Sequence, residues 1–205
     1  MIRILTIIVF AGFVSCSTDD KPDKPVSGEM FPKLAANMQI EPYNDGSGML
    51  RVTGYAEDGT ILEQGDYFNG YREGVYTEFH PNGFIKSIVG YVRGKKQGQY
   101  VLIDNRGQTL ERSNYHNDLL NGTHFKYNRS RVKEESHYAN GQLHGKVEKF
   151  YGDGSIMERS NYNSGQLDGT SRWYDQKGKN TIAYNYKMGE LKGDAELEVK
   201  TEPTN

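Results

Sequence analysis

The sequence contains one cysteine and one tryptophan in 205 residues, only six prolines, and apolar residues amounting to 35%. Each shortage excludes something. A single Cys cannot build an intramolecular disulfide framework or a paired-cysteine zinc or redox site. Neither sign of charge dominates, with 25 Lys and Arg against 27 Asp and Glu and a formal net charge of −2. That balance gives neither the basic footprint of a nucleic-acid binder nor an acidic tail. An apolar fraction of 35% is too low for one thick core. The surplus lies elsewhere, in 24 glycines and 15 tyrosines.

Most of that surplus falls into columns of a repeat, a pattern to be sought before any single site. Tyrosine recurs at Tyr43, Tyr67, Tyr91, Tyr115, Tyr138, Tyr162 and Tyr186, spaced by 24 residues with one interval of 23. Three residues later stand Gly46, Gly70, Gly94, Asp118, Gly141, Gly165 and Gly189, and four further on Leu50, Gly74, Gly98, Gly122, Gly145, Gly169 and Gly193. A third glycine column, Gly59, Gly83, Gly107, Gly154 and Gly178, is missing only from the repeat that lost a residue, near Asn128-Arg129. An apolar, mostly aromatic column runs Tyr55, Phe79, Ile103, Tyr127, Phe150 and Tyr174.

Each unit reads as a β-hairpin. Segments such as Val75 to Phe79 and Ile85 to Tyr91 are rich in aromatic and β-branched residues, and turns such as His80-Pro81-Asn82-Gly83 separate them. The Tyr-x-x-Gly-x-x-x-Gly stretch is expected to link one hairpin to the next, its glycines permitting a tight turn. One hairpin is marginal alone, and an array of them shares its buried face between neighbours. The fold class is therefore all-β, an elongated array of antiparallel hairpins held by ladders of Tyr67, Tyr91, Tyr115, Tyr138, Tyr162 and Tyr186 and of Phe79, Tyr127, Phe150 and Tyr174. The missing residue predicts a bulge or a shortened turn near Asn128–Ser130. Residues 28–42 lack the motif and read as an N-terminal cap, 43–193 as six to seven repeats, and 194–205 as a capping strand and tail, with Glu198 guarding the last edge.

At the N-terminus, Met1-Ile2-Arg3 precedes an uncharged apolar run from Ile4 to Val14, which is too short to span a membrane. The run ends immediately before the lone Cys16. Residues 1–15 thus resemble a bacterial lipoprotein signal, in which Cys16 becomes the lipidated first residue. Residues 16–27 are polar, charged and proline-punctuated, as an extended tether is. The Ser17-Thr18-Asp19-Asp20 start resembles the export signal of surface-exposed lipoproteins in the Bacteroidetes. The expected location is the cell envelope, the outer membrane first, with surface display as the alternative.

The repeat itself, in copies such as Tyr67-Phe68-Asn69-Gly70-Tyr71-Arg72-Glu73-Gly74 and Tyr138-Ala139-Asn140-Gly141-Gln142-Leu143-His144-Gly145, resembles the MORN-repeat variant of bacterial YwqK-like antitoxin proteins. The resemblance spans about residues 43–193 and implies a binding module, with an antitoxin- or immunity-like partner as the finer implication.

The remaining chemistry is sparse. The five histidines share no repeat column, so stacking builds no metal cage, and neither metal nor cofactor is expected. Glu63, Glu111, Glu134 and Glu158 do share a column, interrupted by Ser87, and read as a solvated, Arg- and Lys-compensated face. No catalytic residue is expected, and an enzyme is not the reading. The candidate binding surface comprises the aromatics Tyr71, Tyr76, Tyr100, Phe125 and Trp173, with their burial in a second ladder as the alternative. The expected partner is an envelope protein, with a glycan or peptidoglycan as the competing ligand. The membrane is reached through the lipid, and the oligomeric state is open.

Overall fold

The computed structural model describes residues 37–196; Cys16, the tether, most of the N-terminal cap, Glu198 and the C-terminal tail lie outside them. Sixteen strands make one antiparallel sheet: β1 Met38–Pro42, β2 Leu50–Tyr55, β3 Ile61–Phe68, β4 Tyr71–Phe79, β5 Ile85–Val92, β6 Lys95–Ile103, β7 Thr109–His116, β8 Leu119–Leu120, β9 Gly122–Asn128, β10 Arg131–Ala139, β11 Gln142–Phe150, β12 Ile156–Asn163, β13 Gln166–Leu167, β14 Gly169–Tyr174, β15 Asn180–Lys187 and β16 Glu190–Glu196. Strand order follows chain order. The short β8 and β13 continue into β9 and β14 after one residue, whose amide bonds back to the previous strand, Asn121 to the Asn114 carbonyl and Asp168 to the Asn161 carbonyl, both at 2.9 Å.

Two kinds of turn alternate along the chain. At the Tyr-x-x-Gly end, Asn69-Gly70, Arg93-Gly94, Asn117-Asp118, Asn140-Gly141, Ser164-Gly165 and Met188-Gly189 all hold positive φ at both residues. Two-residue hairpins of the I′ kind demand this, because their twist matches that of the strands. The stretch expected to link separate hairpins is therefore itself a hairpin, and the sheet runs through it without a break. The amides of Gly94, Asp118, Gly141, Gly165 and Gly189 then reach the carbonyls of Arg72, Lys96, Leu120, Leu143 and Leu167 in the preceding repeat, at 2.8–3.1 Å. Turn is tied to turn along this edge.

At the opposite edge the loops hold three residues ending in a positive-φ glycine, with an Asp or Asn side chain accepting an amide beyond it, as Asp58 Oδ1 does from Thr60 and Asp153 Oδ1 from Ser155, both at 2.9 Å. The repeat that lost a residue closes instead with Arg129-Ser130, both at positive φ, pairing Arg131 with Asn128 and shifting register between Val132 and Glu134. The expected shortened turn is present, whereas the register shift is one that the full-length repeats share, as between Gly54 and Tyr55 and between Glu78 and Phe79.

Strand alternation puts the two aromatic ladders on opposite faces. The core face carries Tyr67, Tyr91, Tyr115, Tyr138, Tyr162 and Tyr186. Beside them runs a cross-strand row, Val52–Gly65–Tyr76–Val89–Tyr100–Ser113, continued by His124–Ser136–Val147–Ser160 and by Ser171–Tyr184. Large and small side chains alternate along it, since neighbouring strands cannot both present bulk at the same level. The buried cluster Val52, Tyr67, Tyr76, Val89 and Tyr91 forms here, with Met38, Leu50 and Tyr100 packed against it. Met38 brings the cap residues of β1 into this core, while Ile40 on the same strand stays exposed.

Candidate functional site

The five proposed surface aromatics do not form one surface. Tyr76 is 4% exposed and belongs to the core, which corrects its assignment to a binding surface. Its ring sits edge-on to Tyr91 at 6.0 Å, faces the side-chain-free Gly65, and its hydroxyl donates to Glu63. Burial, then that hydrogen bond, pushes the Tyr76 phenol up. Tyr100 is half-buried two strands away, edge-on to Tyr115 at 5.9 Å. Trp173 lies on the same face but in the neighbouring row, edge-on to Tyr184 at 5.7 Å. Tyr71 and Phe125 are on the other face. There the Tyr71 ring covers Gly94 of the next turn, and Phe125 packs on Tyr127 at 6.2 Å.

The acidic column forms a charge ladder on the core face. Cross-strand neighbours run Glu111–Lys126–Glu134–Lys149–Glu158. Lys126 Nζ lies 3.0 Å from Glu134 and Lys149 Nζ 2.9 Å from Glu158. Glu111, Glu134 and Glu158 of the acidic column are thus interleaved with lysines that the linear order spreads over a second column, as the compensated-face reading expects, whereas Glu63 faces Gly54 and Glu78 and accepts from the Tyr76 hydroxyl.

Beside this ladder, Ser113 Oγ lies 2.8 Å from His124 Nδ1 and 2.9 Å from Glu111 Oε1, which is itself 3.6 Å from the same Nδ1. Acyl transfer needs the hydroxyl and the acid on different ring nitrogens, and a nucleophile within reach of substrate. Here both partners share one nitrogen, and Ser113 and His124 are 3% and 5% exposed. The trio is a packing knot. Burial holds the His124 imidazole below its ordinary range. Among the described residues no three His, Cys, Asp or Glu gather as metal ligands would.

The outer face presents two features. Along the three-residue-loop edge the second ladder pairs across strands as Tyr55–Ile61, Phe79–Ile85, Ile103–Thr109, Tyr127–Val132, Phe150–Ile156 and Tyr174–Asn180. The aromatics are half-buried, but Ile61, Leu62, Phe84, Ile85 and Leu110 on the returning strands and loops are exposed. Among the described residues, every extensive contact between elements joins strands that are neighbours in the sheet, so no second layer covers this strip.

The second feature lies where the short turn interrupts the strip, a half-open cleft of about 710 Å³. Arg129, Arg131 and Lys133 line it together with Val132, Phe150 and Met157. Sequence reasoning marked the missing residue but not these cations; their alternation in Arg129-Ser130-Arg131-Val132-Lys133 was the available signal.

Fold and surface together define a β-hairpin repeat protein. The model of the MORN repeat variant matches the chain twice, at residues 72–92 and 143–164, each match running from one two-residue turn across a three-residue loop to the next. Comparison with curated proteins finds no match. Among solved structures, the crystal structure of an S. aureus TarM mutant in complex with fondaparinux, alpha-GlcNAc-glycerol and UDP is 12% identical with a TM-score of 0.28, and the crystal structure of TarM is 13% identical with a TM-score of 0.27. The alignments cover 58% and 55% of this chain and 19% and 18% of those chains, so the chain spans about a fifth of their length. A likeness that slight carries no argument.

Proposed function

We propose that this chain is a non-catalytic binding module that contacts another protein through the outer face of its sheet while a lipid on Cys16 holds it to the bacterial cell envelope. The carrying observation is the apolar strip that no other described element covers. Exposed Ile61 and Ile85 pair across strands with Tyr55 and Phe79 of the aromatic ladder, and Leu62, Phe84 and Leu110 are exposed along the same edge; exposed apolar side chains repeated along one edge of a rigid sheet suit a contact surface. The repeat resemblance supports a binding role, and the YwqK-like character of the motif suggests an antitoxin- or immunity-like partner. The placement of Cys16 directly after a short apolar run supports envelope anchoring, to the outer membrane first.

Affinity capture with the full-length chain from envelope extracts tests this. The expected result is a specific protein lost on Phe84→Lys together with Ile85→Lys. Retention on peptidoglycan or another polysaccharide, with no protein captured, would favour the glycan-binding alternative. Cys16→Ala should move the chain out of the membrane fraction, and unchanged fractionation would remove the lipid from the account.

A further inference from the structure

The cleft at the short turn has a composition that the rest of the strip lacks. In the regular repeats a side chain from one loop bridges to the next repeat, as His80 Nε2 to the Ile103 carbonyl at 2.9 Å, Asn82 Nδ2 to the Asn105 carbonyl at 2.7 Å, and Tyr151 Oη to the Tyr174 carbonyl at 2.8 Å. The lost residue removes the glycine-ended loop here, and Arg131 spans to the Gly152 carbonyl instead. Arg129 and Lys133 flank it, and among the described residues neither has a carboxylate partner within ion-pair distance. Asp153, on the facing loop, is committed to the hydroxyl and amide of Ser155. Glu134 faces Lys126 on the core face, and Glu135 lies beside His137. Asp153 keeps its charge and acts on Arg131, so the excess positive charge of the cleft rests on Arg129 and Lys133.

Its other wall is apolar, made by Val132, Phe150 and Met157. The uncharged polar side chains are few, Asn128 and a Tyr151 whose hydroxyl is already used. A sugar ring would leave its hydroxyls without partners against this wall, and an unpaired buried hydroxyl weakens binding. An anion joined to an apolar body meets both walls, and about 710 Å³ lies within the range of specific ligand sites.

We infer that this cleft receives an acidic segment of a protein partner, one in which carboxylates flank a bulky apolar side chain. Arg129, Arg131 and Lys133 pair the carboxylates, the guanidinium groups by their two-pronged geometry, and Phe150 and Met157 seat the apolar side chain. The inference rests on the protein-binding reading and names the chemistry of the partner.

The test is fluorescence anisotropy with the full-length chain and a labelled peptide, Asp-Asp-Phe-Glu-Asp, beside its amide counterpart Asn-Asn-Phe-Gln-Asn. The acidic peptide should bind, the amide peptide at least about tenfold more weakly, and added salt should weaken the acidic one alone. Arg129→Glu with Lys133→Glu should cost about tenfold or more, two reversed, partly exposed pairs being worth that much. Both residues are exposed, and an unchanged melting temperature would verify that the variant folds. Met157→Gln should weaken the acidic peptide without restoring the amide one.

Absence of acidic-peptide binding, equal binding of the two peptides, or full binding by the charge-reversed variant would each overturn the inference. So would equal retention of alginate, an acidic polysaccharide without an apolar side chain. Capture of an envelope protein that survives the charge reversal but not the Phe84 and Ile85 substitutions would overturn the cleft while leaving the binding module standing. Failure to capture any protein would remove the module reading itself.

Discussion

The Arg72 guanidinium lies 4.1 Å from the centre of the Tyr76 ring and 5.3 Å from that of Tyr91, and it donates hydrogen bonds of 3.2 Å to the hydroxyls of Tyr67 and Tyr91. One repeat on, Lys96 lies 5.8 Å from Tyr100 and 5.0 Å from Tyr115. Further along, the same repeat position holds Leu120, Leu143 and Leu167, opposite His124, Val147 and Ser171 in place of a tyrosine. A cation appears where two phenol rings need a polar lid, and leucine where the neighbour is smaller.

Arg72→Leu should therefore destabilise the domain by about 1–3 kcal/mol, the sum of a partly desolvated cation–π contact and two hydrogen bonds. Lys96→Leu, with longer ring distances, should cost less than about 1 kcal/mol. Urea unfolding of both variants measures the difference. Equal losses would mean that Arg72 is only a surface cation.

Gly65 tests the alternation of large and small residues. A Cβ built there would stand 2.2 Å from Tyr76 Cδ2 and 2.9 Å from Cε2. Because Tyr76 is boxed in by Tyr91 and Arg72, the ring cannot simply swing away. Gly65→Ala should cost about 1–3 kcal/mol through overpacking. Combining it with Tyr76→Val should recover part of that loss, because Val52–Gly65 and Ser171–Tyr184 show that the row tolerates bulk on either strand. A double-mutant cycle with no coupling would refute the steric account.

The buried serines separate into two kinds. Ser113 Oγ is bonded to Glu111 and His124, whereas the Ser136 and Ser171 hydroxyls are buried without a partner. Ser136→Ala and Ser171→Ala should be neutral or stabilising by up to about 1 kcal/mol, and Ser113→Ala should destabilise by a similar amount. Thermal melts of the three variants decide it, and a loss of stability in all three would mean that the first two hydroxyls are satisfied.

Two groups tie stability to acid, in different windows. His124 has its imidazole held below the ordinary value of 6.5, burial outweighing the pull of Glu111. The unfolded chain thus binds the proton more readily, and stability falls as pH drops below 6.5. Burial pushes the Glu148 carboxyl up, but Lys146 and Arg159, at 2.8 and 2.7 Å, outweigh it and hold the group below 4.5. Its contribution is present above 4.5 and is lost as pH falls through the lower folded value. His124→Gln should flatten the upper part of the stability profile and Glu148→Gln the lower part, read from urea midpoints against pH. A profile unchanged by His124→Gln would show that the ring takes up its proton in the folded state.

Periodicity alone determined a great deal here. The 24-residue interval, the glycine columns and the aromatic columns specified hairpin units and the place of the shortened turn, because positive φ and strand alternation are local demands that a residue type answers by itself. Asn69-Gly70 and Asn140-Gly141 even carried the signature of a two-residue hairpin, although the stretch reads equally well as a linker. Facing was left to the tertiary structure. Tyr76 is buried because Gly65 on one neighbouring strand leaves room and Tyr91 closes over it, and Glu111, Lys126, Glu134, Lys149 and Glu158 form one ladder because register puts them side by side. Phe125 and Tyr100 stand on opposite faces although both looked like surface aromatics. Arg129 and Lys133 meet Phe150 and Met157 only because a missing residue pulls one loop back from its neighbour. Which residues become partners across strands depends on register and bulges summed over many repeats, and no single segment carries that information.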